Sequence, residues 1–126
     1  MAGDDTLSEK LRSIVTLSDG IMGAALVTSD GFALRSNLPA DVDVEVLCAI
    51  SGLVGASSAK ASQELRQGAM SKTVIEFEDG KLLLEQGNEF VLMVLTKADT
   101  NLGMVRLAMR RLVVSLNEVI EELLEL

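Results

Sequence analysis

The sequence predicts an α+β fold: a five-stranded antiparallel sheet sandwiched by helices, in the order helix, strand, strand, helix, strand, strand, strand, helix. Three observations predict it. Apolar residues recur at helical spacing in three stretches, each opened by a side chain suited to capping. Short apolar runs are separated by the turn signals Asp30-Gly31, Asp79-Gly80 and Gly87-Asn88. No repeat, linker or low-complexity segment interrupts the 126 residues, so residues 1–126 read as one domain, with a loose start at 1–5.

Thr6 and Glu9 fit a capping box, and Leu7, Leu11, Ile14 and Val15 follow at helical spacing, with Gly20 as the expected left-handed stop. Residues 21–28 read as a buried strand that turns at Ser29-Asp30-Gly31 and returns over 32–36. Gly23 and the alanines beside it make that strand smooth enough for a helix to lie close. After Pro39, Asp41 or Asp43 caps a long helix running to Gln67, with Gly68 as its stop. Three strands follow, "KTVIEF", "KLLLEQ" and "EFVLMVL", joined by short turns. Asp99, Thr100 or Asn101 caps the last helix, whose buried stripe is Leu102, Val105, Met109, Leu112, Leu116, Val119 and Leu123.

Composition excludes several functions. Hydrophobic residues make up 48% of the chain, more than a disordered segment leaves unburied. A net charge of −8 opposes non-specific binding to nucleic acid or to an anionic membrane. There is no Trp or Tyr, and Phe32, Phe77 and Phe90 are the only aromatics on which a base could stack. The absence of histidine removes the commonest general base and metal ligand, and with it every Ser-His or Cys-His nucleophile. The run "FVLMVL" is far short of the roughly 20 residues of a membrane span. The opening "MAGDDTLSEK" is acidic where a signal peptide is basic. A cytoplasmic protein without membrane insertion, cofactor or metal is expected.

The stretch "ISGLVGASSAKAS" could suggest a phosphate-binding loop. Such a loop needs Gly before its lysine, Ser or Thr after it, and a preceding strand. Lys60 is flanked by Ala59 and Ala61 and sits deep in a helical pattern. Wound as a helix, the segment gathers Val46, Leu47, Ile50, Leu53, Val54, Ala61 and Leu65 on one side, expected to lie on the sheet. Cys48, Gly52, Gly55, Ala59 and Ser62 fall opposite. Two mid-helix glycines on one face suggest close approach of another backbone, and a copy of this chain is the simplest partner.

Other motifs weigh less. Asp41, Asp43 and Glu45 resemble the start of a calcium loop, but Val46 stands where Gly is needed and Gly52 where Glu is needed. Helix capping explains these acids. Cys48 reads as a small packing residue, open to oxidation only if two copies meet there. The last helix carries Arg106, Arg110 and Arg111 in its first half and Glu118, Glu121, Glu122 and Glu125 in its second, against the helix dipole. A solvated face accounts for this; an exposed basic spot for an acidic partner is the functional alternative.

The hairpin "GIMGAALVTSDGFALRS", the long helix "LCAISGLVGASSAKASQELRQG", the strands "KTVIEFEDGKLLLEQGNEFVLMVLT" and the final "NLGMVRLAMRRLVVSL" together resemble the roadblock family, the dynein light chain-type domain with a profilin-like architecture. The resemblance covers nearly the whole chain. It implies homodimers or heterodimers whose third strands pair edge to edge, with the two long helices side by side on one face. It implies no catalytic residues and, in many members, binding to a small Ras-like GTPase; others serve dynein or bacterial polarity and gliding systems. By this carry-over the dimer edge is Lys72, Thr73, Val74, Ile75, Glu76 and Phe77, joined by Cys48, Gly52, Gly55 and Ala59 of the helix.

The expected function is therefore a non-catalytic homodimer that binds a small Ras-like GTPase through a platform of paired long helices. Lys60, Gln63, Arg66, Arg106 and Arg110 are the candidate partner-facing residues, with Arg35 a further cation near the long helix. Arg66 is a candidate arginine finger by location alone. A structural adaptor indifferent to nucleotide, such as a motor light chain, is the alternative. An enzyme or small-ligand sensor is disfavoured by the missing His, Trp and Tyr.

Overall fold

The computed structural model describes residues 2–125, with side chains from 6 to 123. The elements run α1 (Ala2–Val15), β1 (Ile21–Thr28), β2 (Ala33–Asn37), α2 (Val44–Leu65), β3 (Lys72–Glu76), β4 (Gly80–Gln86), β5 (Phe90–Lys97) and α3 (Leu102–Glu125). All strand pairs are antiparallel, in the order β2-β1-β5-β4-β3, which makes β5 the centre and leaves β2 and β3 as edges. This is the predicted α+β order.

Strand alternation divides the core into two layers. On one face, Leu7, Leu11 and Ile14 of α1 and Val105, Met109 and Leu116 of α3 meet Leu26, Leu83 and Leu92 of the sheet. The α3 stripe is the predicted one. On the other face, Leu47 of α2 meets Ala25, Val27, Leu82, Leu84 and Met93. Each fully buried leucine contributes about 1.5–3 kcal/mol, so the first layer carries most of the stability.

Two helices open on side-chain caps. Asp43 accepts from the Glu45 backbone N–H at 2.9 Å, and Asn101 accepts from the Met104 N–H at 3.0 Å. Each satisfies a donor the first turn leaves open, worth about 1 kcal/mol.

Several local expectations are corrected. Helix α1 starts at Ala2, four residues before Thr6, so Thr6 lies inside the helix and is not its cap. The expected loose start at 1–5 concerns side chains outside the described residues. Gly20 is not left-handed. It is needed because a Cβ there would sit 2.2 Å from the Thr100 hydroxyl, where the β5–α3 connection crosses. A Cβ at Gly23 would lie 2.8 Å from the Asn37 carbonyl, so this glycine admits the chain leaving β2, not a helix. Helix α2 stops at Leu65, with Arg66 as a left-handed cap (φ 54°) donating its N–H to the Ser62 carbonyl at 2.8 Å. Gly68 follows at φ +84° in the connection to β3.

The largest correction concerns how α2 sits. It rests on the sheet through Leu47, its one buried residue, with Cys48, Ile50 and Val54 partly covered. Val46, Leu53 and Leu65, expected on the sheet, are 54%, 70% and 65% exposed, and Ala61 is exposed too. Cys48, expected outward, turns toward the sheet. The helix is apolar around more of its circumference than one strip of sheet can cover. Ser51, Ser58 and Ser62 fall on the covered side, and the surplus faces outward. That surplus also makes α2 long and apolar enough, by length and composition, for a membrane span.

A candidate self-association and partner surface

Strand β3 ends in an open edge. The Phe77 N–H donates to the Gly80 carbonyl and the Gln86 N–H to the Ser71 carbonyl, both at 2.8 Å. Antiparallel ladders alternate, so Thr73 and Ile75 also turn their backbone groups toward β4. Lys72, Val74 and Glu76 then aim three N–H and three C=O groups away from the sheet. Among side chains, Ile75 packs with the α2 layer and Val74 with the α3 layer. Lys72 and Glu76 share the Val74 side. Phe77 lies just past the strand and is 55% exposed.

The α2 face of the sheet shows two further kinds of surface. The outward side of the helix shows Val46, Ala49 and Leu53 to solvent. Its other flank, with Gly55 and Ala59, borders an open groove of about 670 Å³ whose far wall is Gln86, Gly87 and Asn88, and Gly52 and Gly55 border a smaller hollow against Thr28 and Gly31. A Cβ added at Gly52 or Gly55 would meet nothing within 4 Å. The glycines therefore leave room along this flank, and among the described residues nothing fills it.

The sequence-predicted partner residues divide between two faces. Lys60, Gln63 and Arg66 are exposed along the C-terminal half of α2, where Gln63 lines the groove and Leu65 adds an exposed apolar side chain. Arg106 and Arg110 lie across the sheet on α3, near Lys72 and Glu85. The structure does not bring these sets together. Sequence reasoning missed Val46 and Leu53 as surface residues; the signal available was an apolar arc too wide for a helix covered on one side.

Electrostatics add two details. Burial raises the Cys48 thiol pKa, with Glu45 and Asp43 pushing the same way, so the thiol stays protonated and poorly nucleophilic at neutral pH. Burial also raises the Glu85 carboxyl, against the opposing pull of Lys72 and Arg110. Among the described residues no group of three or more His, Cys, Asp or Glu is arranged to hold a metal ion.

This architecture is that of the roadblock/LC7 domain. The chain belongs to that family, whose model matches residues 7–97. It is 36% identical over 107 residues to the uncharacterized protein MJ0714 of Methanocaldococcus jannaschii, covering 85% of this chain and 91% of that one. In fold it is similar to a solved MglB with a tetrameric arrangement, at TM-score 0.88 and 20% identity over 97% of this chain and 93% of that one. It is equally similar to MglB of Myxococcus xanthus, at TM-score 0.88 and 17% identity over 95% and 91%. At such identities these likenesses concern the fold.

Proposed function

We propose that this roadblock domain is a non-catalytic dimeric regulator or scaffold, which binds a small Ras-like GTPase through a platform of paired long helices. One observation carries the reading: a 22-residue helix with a single buried residue lies on the sheet face to which Ile75 of the open edge strand β3 also contributes. Exposed apolar surface and unpaired strand edges are aggregation hazards unless something covers them. A second copy covers both at once. Antiparallel pairing of β3 about Val74 sets Lys72 across from the partner's Glu76, and by symmetry the reverse, so the edge is complementary to itself in charge as well as in hydrogen bonding. Val46, Ala49 and Leu53 then gain a cover from the partner's long helix, with Cys48, Gly52, Gly55 and Ala59 on its flank.

The GTPase would meet the C-terminal half of α2, where Gln63 lines the groove and Lys60, Leu65 and Arg66 are exposed. A surface that binds the GTP form better than the GDP form shifts the GTPase between them by the difference in affinity and no more. The reading carries with it a cytoplasmic location, no cofactor, no nucleic acid and no membrane insertion. The solved MglB in a tetrameric arrangement supports self-association as a use of this fold.

The test is capture from the native host's lysate, split between a non-hydrolysable GTP analogue and GDP. The reading expects a small GTPase enriched in the GTP half. Equal capture of a motor or scaffold component, without a GTPase, supports the adaptor alternative instead.

A further inference from the structure

Helix α3 carries its charges against its own dipole. Arg106, Arg110 and Arg111 occupy its first half and Glu118, Glu121 and Glu122 its second; its first turn has no acid and its last no base. Neighbours four apart repel as well, Arg106 with Arg110 and Glu118 with Glu122. Both patterns disfavour the helix standing alone. The inward side is fixed by Val105, Met109, Leu112, Leu116 and Ile120. Leu107 and Val114 are therefore left outside, 48% and 58% exposed, among the exposed Arg110, Arg111, Glu118 and Glu122. Glu121 is engaged at home, accepting from the Asn88 side-chain amide at 3.2 Å.

We propose that the outer side of α3 is a second self-association surface, which pairs antiparallel with α3 of another copy about a two-fold axis at Val114. Residues equally far from Val114 come level, since each advances about 1.5 Å along the axis. Arg111 then meets the partner's Glu118 on one side of the seam, offset in height by about 1.5 Å, and Arg110 comes level with the partner's Glu118 from the other side. Arg106 lies level with the partner's Glu122 but on the other side of the seam, so it adds attraction only at longer range. Every pair occurs twice, the two Val114 side chains meet at the axis, and the antiparallel dipoles set each basic end beside an acidic one. An acidic partner would suit the first half and face like charge in the second; a basic partner would do the reverse. An antiparallel copy answers both halves with one surface.

The contact is weak by construction, because Leu107 and Val114 supply little apolar area. The net charge of −8 makes two copies repel at long range. At about 0.1 M salt the screening length is about 10 Å, which damps distant repulsion and leaves close pairs. The surface lies across the sheet from α2, so it doubles whatever species α2 and β3 define, whether a single chain or a pair.

Sedimentation velocity at about 0.1 M salt, from about 10 µM to about 1 mM, tests it. The wild-type mass doubles across that range. Arg110→Glu with Arg111→Glu removes the doubling, at least about tenfold in affinity, and so does Glu118→Arg with Glu122→Arg. The chain carrying all four substitutions doubles again. All four positions are exposed, and thermal melts of each variant report that the fold is kept. A wild-type mass that does not rise, reversals without effect, or a fourfold variant that fails to recover would each overturn the proposal.

Discussion

Lys72 and Glu85 are direct cross-strand partners between β3 and β4, yet the Glu85 carboxyl is held above its ordinary pKa. Desolvation beneath α3 outweighs the attraction of Lys72 and of Arg110. The carboxylate therefore costs the folded state something at neutral pH. With the folded pKa above the unfolded one, that cost is present above the folded pKa and is relieved as pH falls through it. Glu85→Gln should melt higher than wild type at pH 7, and the gap should close toward about pH 4. Paired thermal melts across that range check this; a gap that stays constant or has the opposite sign contradicts it.

Leu53 is 70% exposed, so the isolated fold should tolerate a charge there. Leu53→Glu is expected to leave the stability of the single chain within about 0.5 kcal/mol. Self-association should weaken by tenfold or more, about 1.4 kcal/mol. Light scattering over a dilution series reads the second effect and urea melts at low concentration the first.

Gly55 sits mid-helix with open space where a Cβ would go. Gly55→Ala should stabilise α2 by up to about 1 kcal/mol. If Val46 and Leu53 carry the self-contact, the dilution midpoint of the dimer stays where it was. A large loss of association would return the contact to the glycine flank.

Arg66 holds a left-handed backbone that costs a non-glycine residue roughly 1–2 kcal/mol. Arg66→Gly should therefore be neutral or modestly stabilising in melts. Strain kept at a residue suggests a use for its side chain. If the proposed GTPase contact is made there, the same variant should capture less of that partner, with its own mass unchanged. Lost stability would put Arg66 among the structural residues instead.

The element order was legible in the sequence because turn chemistry and periodicity are local. Asp43, Asn101 and Gly31 act in the structure as the pattern says they should. Two misreadings have one cause, a neighbour distant in sequence. Gly20 looked like a helix stop, but its smallness answers Thr100, eighty residues away. Gly23 answers Asn37. The orientation of α2 went wrong because a wheel assigns one buried side, and this helix has apolar residues for two. The candidate surface was legible in part: the β3 edge followed from the family resemblance, while Val46 and Leu53 became visible only once Leu47 was seen to be the single residue that the sheet buries.

Amide hydrogen exchange of β3, followed residue by residue at high and low protein concentration, tests the dimer account most directly. Thr73 and Ile75 are bonded to β4 and should be protected throughout. Lys72, Val74 and Glu76 face outward, so the account predicts that their amides are protected at high concentration and lose that protection together on dilution. Free exchange at these three positions at every concentration, with Thr73 and Ile75 still protected, would show an edge that never pairs and would contradict it.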